Sequence, residues 1–319
     1  MTIFNQYFLF LAKLSTITSA ILLIISVAAS QKSKGHSKPE ITVLNKERFI
    51  NYQNYCEALK KYPGFKERKK FFSKHEKNLS KLKDRLFIID FKGDLKATGV
   101  TILTEEIEII LQLALKGDTV LLRMDSGGGT VIGYGLVATQ VRRIREAGIH
   151  LVVSIDQLAA SGGYLVAAMA NTIIAAQFAC VGSIGVAIEV PNFHNLLKNY
   201  GIEYTQVTSG KYKRTLTFLG PNTKEGEEKA KQDVERTHQL FKDYITQYRD
   251  LDIERVATGE TWEASSALNN GLVDELISSD EYIQKQQFNK LILVIKTPQK
   301  QRFFQLAKNK ASRLLQYLG

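Results

Sequence analysis

Ser161 and Lys213 are the two side chains whose types and settings suit nucleophilic chemistry. A serine hydroxyl is a weak nucleophile until a base within hydrogen-bond reach takes its proton. An amine can be that base where burial and neighbouring cations favour its neutral form. Ser161 lies in Ala159-Ala160-Ser161-Gly162-Gly163-Tyr164, a setting that equally suits a plain helix cap. Lys213 lies 52 residues further on, in Ser209-Gly210-Lys211-Tyr212-Lys213-Arg214. Lys211 and Arg214 are like charges that would favour a neutral amine between them, and a solvated basic loop is the ordinary alternative. A third stretch is Met124-Asp125-Ser126-Gly127-Gly128-Gly129. Its glycines can turn backbone N–H groups outward, toward an oxyanion or equally a phosphate. It fits neither GxxxxGK[ST] nor GxGxxG, and a tight strand-to-helix turn would need the same residues.

The other chemical groups are scattered. His36, His75, His150, His194 and His238 share no elbow or zinc-binding motif, so a Ser–His–Asp arrangement has no support. Cys56 and Cys180 stand alone, without metal-ligand spacing or a disulfide framework. No cofactor and no metal is expected.

Short apolar runs alternating with amphipathic stretches must position the three motifs. Strands are expected at 86–90, 119–125, 150–156, 171–176, 202–209 and 291–295. Helices are expected from a Thr104 cap to about 115, over 131–146, from Ser161, around 193–199 and over 223–249. Strand–helix alternation with short loops implies βαβ units and a largely parallel sheet covered on both faces. The glycine run and Ser161 then both fall where a strand hands over to a helix.

The 319 residues are 44% hydrophobic and 24% charged, enough for one large or two small domains. Of the net charge of +11, ten units sit in residues 32–85, which hold 16 basic and 6 acidic side chains. That segment reads as helical from about 46 to 83, broken at Tyr62-Pro63-Gly64. It suits either a spacer or a surface helix against anionic lipid; no nucleic-acid-binding module accompanies the charge. Residues 7–29 are apolar apart from Lys13 and a few hydroxyls, long enough to cross a bilayer. A retained span is expected rather than a cleaved peptide, because no basic region precedes it. Residues 299–319 read as a basic amphipathic helix. The domain plan is thus an anchor (1–30), a basic membrane-proximal segment (31–85), a main domain (86–298) and the terminal helix.

Taken jointly, SGGY, VGSIGV, GKYK and the later ATGETW…GLVDE run resemble the signal peptide peptidase family of Ser–Lys peptidases, peptidase family S49, and within it the short SohB-like proteases. The resemblance implies a ClpP/crotonase-like α/β fold preceded by one transmembrane helix. It implies Ser161 as nucleophile, Lys213 as general base, Gly162 and Gly128 as backbone oxyanion donors, and Ser183 as the residue that orients the lysine. Lys211 falls two positions short of the family's GxxK lysine. The expected activity is serine endopeptidase cleavage of hydrophobic peptides, such as released signal peptides or membrane-proximal segments, through an acyl-enzyme. The expected partners are a peptide or protein substrate, the lipid bilayer and further copies of the chain, with no nucleic acid. A catalytically weak membrane scaffold of the same fold is the alternative, and a crotonase-type acyl-CoA enzyme a more distant one. The family association is with the periplasmic face of the bacterial inner membrane, whereas the basic residues after the span would place the body on the cytoplasmic face. Where the family reads SPGG, this chain reads Ser126-Gly127-Gly128-Gly129, which frees a turn that proline would restrict.

Overall fold

The structure, a computed structural model, describes residues 7–11, 13–19 and 38–298. Residues 7–11 and 13–19 are helical and exposed, and most of the expected span beyond them lies outside the described residues. Among the described residues no helix is long and apolar enough to cross a membrane. The expected helix at 299–319 also lies outside them.

Residues Glu40–Lys296 form one compact unit. Its centre is a sheet ordered β1-β9-β2-β3-β4-β5-β8, with β6 and β7 branching from β4. The strands are β1 (Glu40–Val43), β2 (Arg85–Lys92), β3 (Thr119–Ser126), β4 (His150–Ala160), β5 (Thr172–Ala175), β6 (Cys180–Gly182), β7 (Thr261–Glu263), β8 (Glu275–Leu276) and β9 (Leu291–Lys296). Only the β1–β9 and β6–β7 pairings are antiparallel; the rest are parallel.

Uninterrupted apolar runs belong where both faces of a strand are covered, and β2 shows why. Phe87, Ile89 and Phe91 join Val120, Leu122, Leu151 and Val153 on one face. Leu86 and Ile88 join Leu121, Val152 and Ile292 on the other. Each such side chain withdrawn from water contributes about 1.5–3 kcal/mol, so the central strands are the stable part of the body. Buried Asp118 fixes their lower ends by accepting from the backbone N–H groups of Arg85 (2.8 Å) and Leu115 (2.7 Å).

The helices are α1 (Leu44–Ala58), α2 (Phe65–Asn78), α3 (Val100–Leu113), α4 (Val131–Glu146), α5 (Gly162–Ala167), α6 (His194–Asn199), α7 (Lys224–Thr246), α8 (Ile253–Val256), α9 (Ala264–Asn269) and α10 (Ser279–Gln286). The break between α1 and α2 falls at Tyr62-Pro63-Gly64, with Gly64 in the left-handed region (φ 84°). In α1, Phe49 stacks on Phe288 and the Asn45 amide donates to the carbonyls of Gln287 and Lys290.

Three expectations differ from the structure. Helix α3 begins at Val100, and Thr104 lies inside it, its hydroxyl donating to the Val100 carbonyl at 2.8 Å instead of capping. Strand β4 runs on past Asp156 to Ala160, because β3 and β4 slip register between Met124↔Ile155 and Ser126↔Ala159. The bulge turns Asp156 toward α10, where its carboxylate accepts from the N–H and hydroxyl of Ser279. Beyond it β4 exchanges its neighbour β5 for β6. Finally, residues 202–209 form no strand; they are exposed throughout and have no ladder partner among the described residues.

Candidate active site

The bulge carries β4 far enough that Ser161 stands at its end, level with the glycine turn that ends β3. The backbone at Ser161 has φ 51° and ψ −120°, a conformation that an L-residue adopts only at a cost of about 1–3 kcal/mol. It is held there from both sides. Its N–H donates to the Gly182 carbonyl (2.7 Å), and its carbonyl accepts from Leu165 N–H (3.0 Å). Its hydroxyl makes no capping bond to α5. The simple helix-cap role is therefore excluded, and the strained turn presents an uncommitted hydroxyl.

The glycine turn meets this serine at backbone contact distance. Gly128 has φ 85°, and a Cβ there would lie 2.6 Å from Gly162 N, 2.7 Å from the Ala160 carbonyl oxygen and 2.9 Å from Ser161 Cβ. Only glycine lets the two turns approach so closely. Gly129 is similarly closed in, since a Cβ there would fall 2.1 Å from the Leu95 carbonyl oxygen. Gly162 opens α5, where first-turn N–H groups have no partner within the helix. The Gly128 N–H donates to Ser126 Oγ at 3.1 Å, within the ordinary range for such a bond.

Ser161, Gly127, Gly128, Gly129, Gly162 and Ser183 all border one cavity of about 1040 Å³. Its other walls include Val131, Leu165, Leu240, Phe241 and Tyr244, and among the described residues no Asp, Glu, Lys or Arg borders it. Ser183 also has a left-handed backbone (φ 50°) and donates its N–H to the Glu260 carbonyl. The structure thus brings Ser161, Gly128, Gly162 and Ser183 together.

Lys213 is not among them. It is exposed, in a stretch without helix or strand, and does not border the cavity. Lys211 is tied elsewhere: its ammonium pairs with Glu225 at 2.6 Å and lies 5.2 Å from the Tyr212 ring centroid. The Glu225 hydrogen bond, with help from Tyr212, raises the Lys211 pKa and keeps it charged.

Two cavity residues carry no motif in the sequence. His238 of α7 borders the cavity and has a buried Nε2 without a hydrogen-bond partner. No carboxylate lines the wall to orient it as the middle member of a triad. Tyr134 of α4 is buried; its hydroxyl meets Ser126 Oγ at 2.5 Å and donates to the Asp94 carbonyl at 2.9 Å. Nothing in the α4 pattern separates it from an ordinary core residue. Among the described residues no group of three His, Cys, Asp or Glu side chains forms a metal site.

Fold and site together define an α/β protein with a half-buried, strained serine at a strand-to-helix turn, facing a glycine turn over an apolar cavity. Comparison with known proteins places that class. The sequence pattern of peptidase family S49 matches residues 143–291, and that of the family's N-terminal region matches residues 2–141. The chain is 42% identical to a probable protease SohB of Buchnera aphidicola subsp. Schlechtendalia chinensis, over 87% of this chain and 97% of that one. It is 38% identical to a probable protease SohB of Haemophilus influenzae, over 92% and 89%. It is also 30% identical to protease 4 of Haemophilus influenzae, over 52% of this chain and 27% of that one. The chain belongs to peptidase family S49.

Proposed function

We propose that the chain is a membrane-anchored serine endopeptidase of ClpP/crotonase-like fold, with Ser161 as nucleophile and Lys213 as general base. The observation that carries this reading is the strained, uncapped Ser161 packed against the Gly128 turn. The neutral Lys213 amine takes the Ser161 proton as Oγ attacks the scissile carbonyl. The Gly162 N–H, and the Gly128 N–H as it turns away from Ser126 Oγ, receive the oxyanion, a role worth about 10²–10³ in rate per donor. The protonated amine then gives its proton to the leaving nitrogen, the peptide bond breaks, and water deacylates the serine by the same route. Ser183, on the same cavity wall, orients the amine. The uncharged walls at Val131, Leu165, Leu240 and Phe241 favour hydrophobic segments, such as released signal peptides or membrane-proximal stretches.

Because Lys213 lies outside the cavity, a neighbouring copy supplies it, and the active form is a homo-oligomer. Exposed apolar side chains in the segment leading to Lys213 support this: Tyr200 is 76% and Val207 93% exposed. The bilayer is the second partner. Lys66, Lys70, Lys74, Lys77 and Lys81, at spacings of four, four, three and four, are all exposed and lie along one face of α2 and the turn after it. Among the described residues none of the five has an ionic partner. With residues 7–29 as a single span, this stripe suits the anionic headgroups of the bacterial inner membrane, with the catalytic body on its periplasmic side.

The test is cleavage of an apolar fluorogenic peptide by wild type, Ser161→Ala, Lys213→Ala and Lys211→Ala, and by a mixture of the first two mutants. Full activity of Ser161→Ala would end the reading. Recovery in the mixture is the expected sign of a dyad shared between copies; a mixture as inactive as its components points to a dyad within one chain. The distance of Lys213 from the cavity also favours one alternative, a catalytically weak scaffold that binds apolar segments. Failure of a serine-directed phosphonate to label the assembled wild type would select it.

A further inference from the structure

We propose that Tyr134 is the positioning residue for the oxyanion turn, a proposal that rests on the serine-peptidase reading above. Three successive glycines, Gly127-Gly128-Gly129, give this turn more backbone freedom than any other sequence could. An oxyanion donor works only if it is already aimed, so the restraint must come from outside the turn. The hydrogen bonds at Ser126 supply it in the resting protein, where Ser126 Oγ holds the Gly128 N–H beside the cavity until an oxyanion takes it, and their direction is fixed. The Asp94 carbonyl can only accept, so the Tyr134 hydroxyl donates to it (2.9 Å). The Ser126 hydroxyl therefore donates to Tyr134 Oη (2.5 Å), which leaves Ser126 Oγ to accept from Gly128 N–H (3.1 Å).

The result is one run of bonds of single polarity, from Gly128 through Ser126 and Tyr134 to the segment that follows β2. Ser126 and Tyr134 are 2% and 1% exposed, so losing a partner leaves a buried polar atom unsatisfied instead of handing it to water. The same tyrosine also braces the nucleophile turn. A Cβ at Gly162 would lie 2.4 Å from Tyr134 Cγ, and one at Gly93 would lie 2.3 Å from its hydroxyl oxygen. One side chain thus touches the Gly162 donor with its ring and reaches the Gly128 donor through Ser126. Burial raises the Tyr134 pKa, against the opposing effect of the Ser126 bond, and keeps the phenol a donor.

The experiment compares wild type, Tyr134→Phe and Tyr134→Phe/Gly127→Pro by amide exchange at Gly128 and by kcat and KM on an apolar peptide. Phenylalanine keeps the ring and removes only the hydroxyl. Proline at 127 restores a restraint by fixing φ; Gly127 is not left-handed, and a Cβ there meets only Leu158 Cδ2 at 3.5 Å. Tyr134→Phe should speed Gly128 exchange about tenfold and lower kcat about 10- to 100-fold, less than loss of a whole donor, with KM changed less than about threefold. The added proline should recover most of both losses. Unchanged exchange in Tyr134→Phe, a kcat loss that proline leaves unrepaired, or a rise in kcat would each overturn the proposal; the last would make Ser126 a competitor for the N–H. Wild-type protein that neither cleaves peptide nor reacts with phosphonate would sink the peptidase reading instead. Exchange at Gly128 would even then decide whether Tyr134 holds the turn.

Discussion

Replacing Gly128 with alanine adds one methyl group where the two turns of the candidate site meet, and the structure sets what that should cost. The left-handed backbone (φ 85°) alone costs a non-glycine residue about 1–2 kcal/mol. The new Cβ would also sit 2.6–2.9 Å from Gly162 N, the Ala160 carbonyl oxygen and Ser161 Cβ. Two of these are backbone atoms that cannot swing away as a side-chain tip would. Relieving the overlap moves the turn by several tenths of an ångström, at an overpacking cost of about 1–3 kcal/mol. The sum is about 2–5 kcal/mol, within the roughly 5–15 kcal/mol stability of an ordinary domain, so the protein still folds. Activity should suffer more than stability, because the displaced N–H no longer meets the oxyanion. We expect kcat to fall about 10²–10³-fold, with KM little changed. The assay is peptide cleavage alongside urea denaturation, with Gly64→Ala as the strain control. Gly64 is also left-handed (φ 84°), but nothing lies within 4 Å of an added Cβ, and it is remote in sequence from the site. Gly64→Ala should lose about 1–2 kcal/mol of stability and no activity. A Gly128→Ala enzyme with kcat within threefold of wild type would refute the close-approach argument and remove Gly128 from the oxyanion site.

Three further outcomes are expected. Ser161→Gly should be about 1 kcal/mol more stable than Ser161→Ala by denaturant unfolding, because glycine accepts φ 51° and alanine does not; equal stabilities would mean that Ser161 stores no strain. Asp274 is partly exposed; what burial it has raises its pKa, but the bidentate bond from Arg249 (2.7 and 2.8 Å) and the Ile173 N–H outweigh this and leave it lowered. A lowered carboxyl pKa means stability present above the usual carboxylate range and lost as pH falls through the folded value. Asp274→Asn should therefore cost about 1 kcal/mol near neutral pH, because solvent screens this partly exposed pair, and flatten the acid limb of a stability–pH curve; an unchanged acid limb would refute the linkage. Replacing Lys66, Lys70, Lys74, Lys77 and Lys81 with glutamine should weaken binding to vesicles rich in phosphatidylglycerol by about 10³–10⁴-fold, at about 1 kcal/mol per residue. Binding to neutral phosphatidylcholine vesicles should not change, and equal losses on both would exclude the electrostatic contact.

The sequence made visible whatever is encoded locally. Leu86-Phe87-Ile88-Ile89 must be a covered strand because no alternation of polar residues would let one face meet water. Residues 131–146 form the helix their apolar spacing predicts, and Tyr62-Pro63-Gly64 breaks the basic segment where proline and a left-handed glycine require it. What escaped is fixed by partners distant in the chain. Strand β4 outruns its apolar stretch because a bulge against β3 absorbs Asp156, which then finds Ser279, 123 residues away. Thr104 has the chemistry of a cap, but the packed face of α3 extends the helix four residues earlier, to Val100. Residues 202–209 have the composition of a strand and lack an edge to join.

The candidate site divides along the same line. Ser161, Gly162, Gly128 and Ser183 could be picked out because they stand in contiguous motifs, SGGY, the glycine run and VGSIGV, that carry the family resemblance; the structure adds the left-handed backbones at Ser161, Gly128 and Ser183. Tyr134 could not, because its role lies in one hydroxyl bond to Ser126 and one face of its ring against Gly162, neither of which alters the α4 pattern. Lys213 is the opposite case, a residue conspicuous by type and spacing whose own chain leaves it exposed. A base must come within about 3 Å of the hydroxyl it activates, so the motif can act only if another arrangement of the chain, or another copy, brings it there. On the proposed reading the backbone half of the machinery lies in one folded chain, and the proton-transfer half comes from a neighbouring copy. A peptidase built this way stays silent as an isolated subunit, and its activity should rise more steeply than in proportion to protein concentration across the range where copies associate.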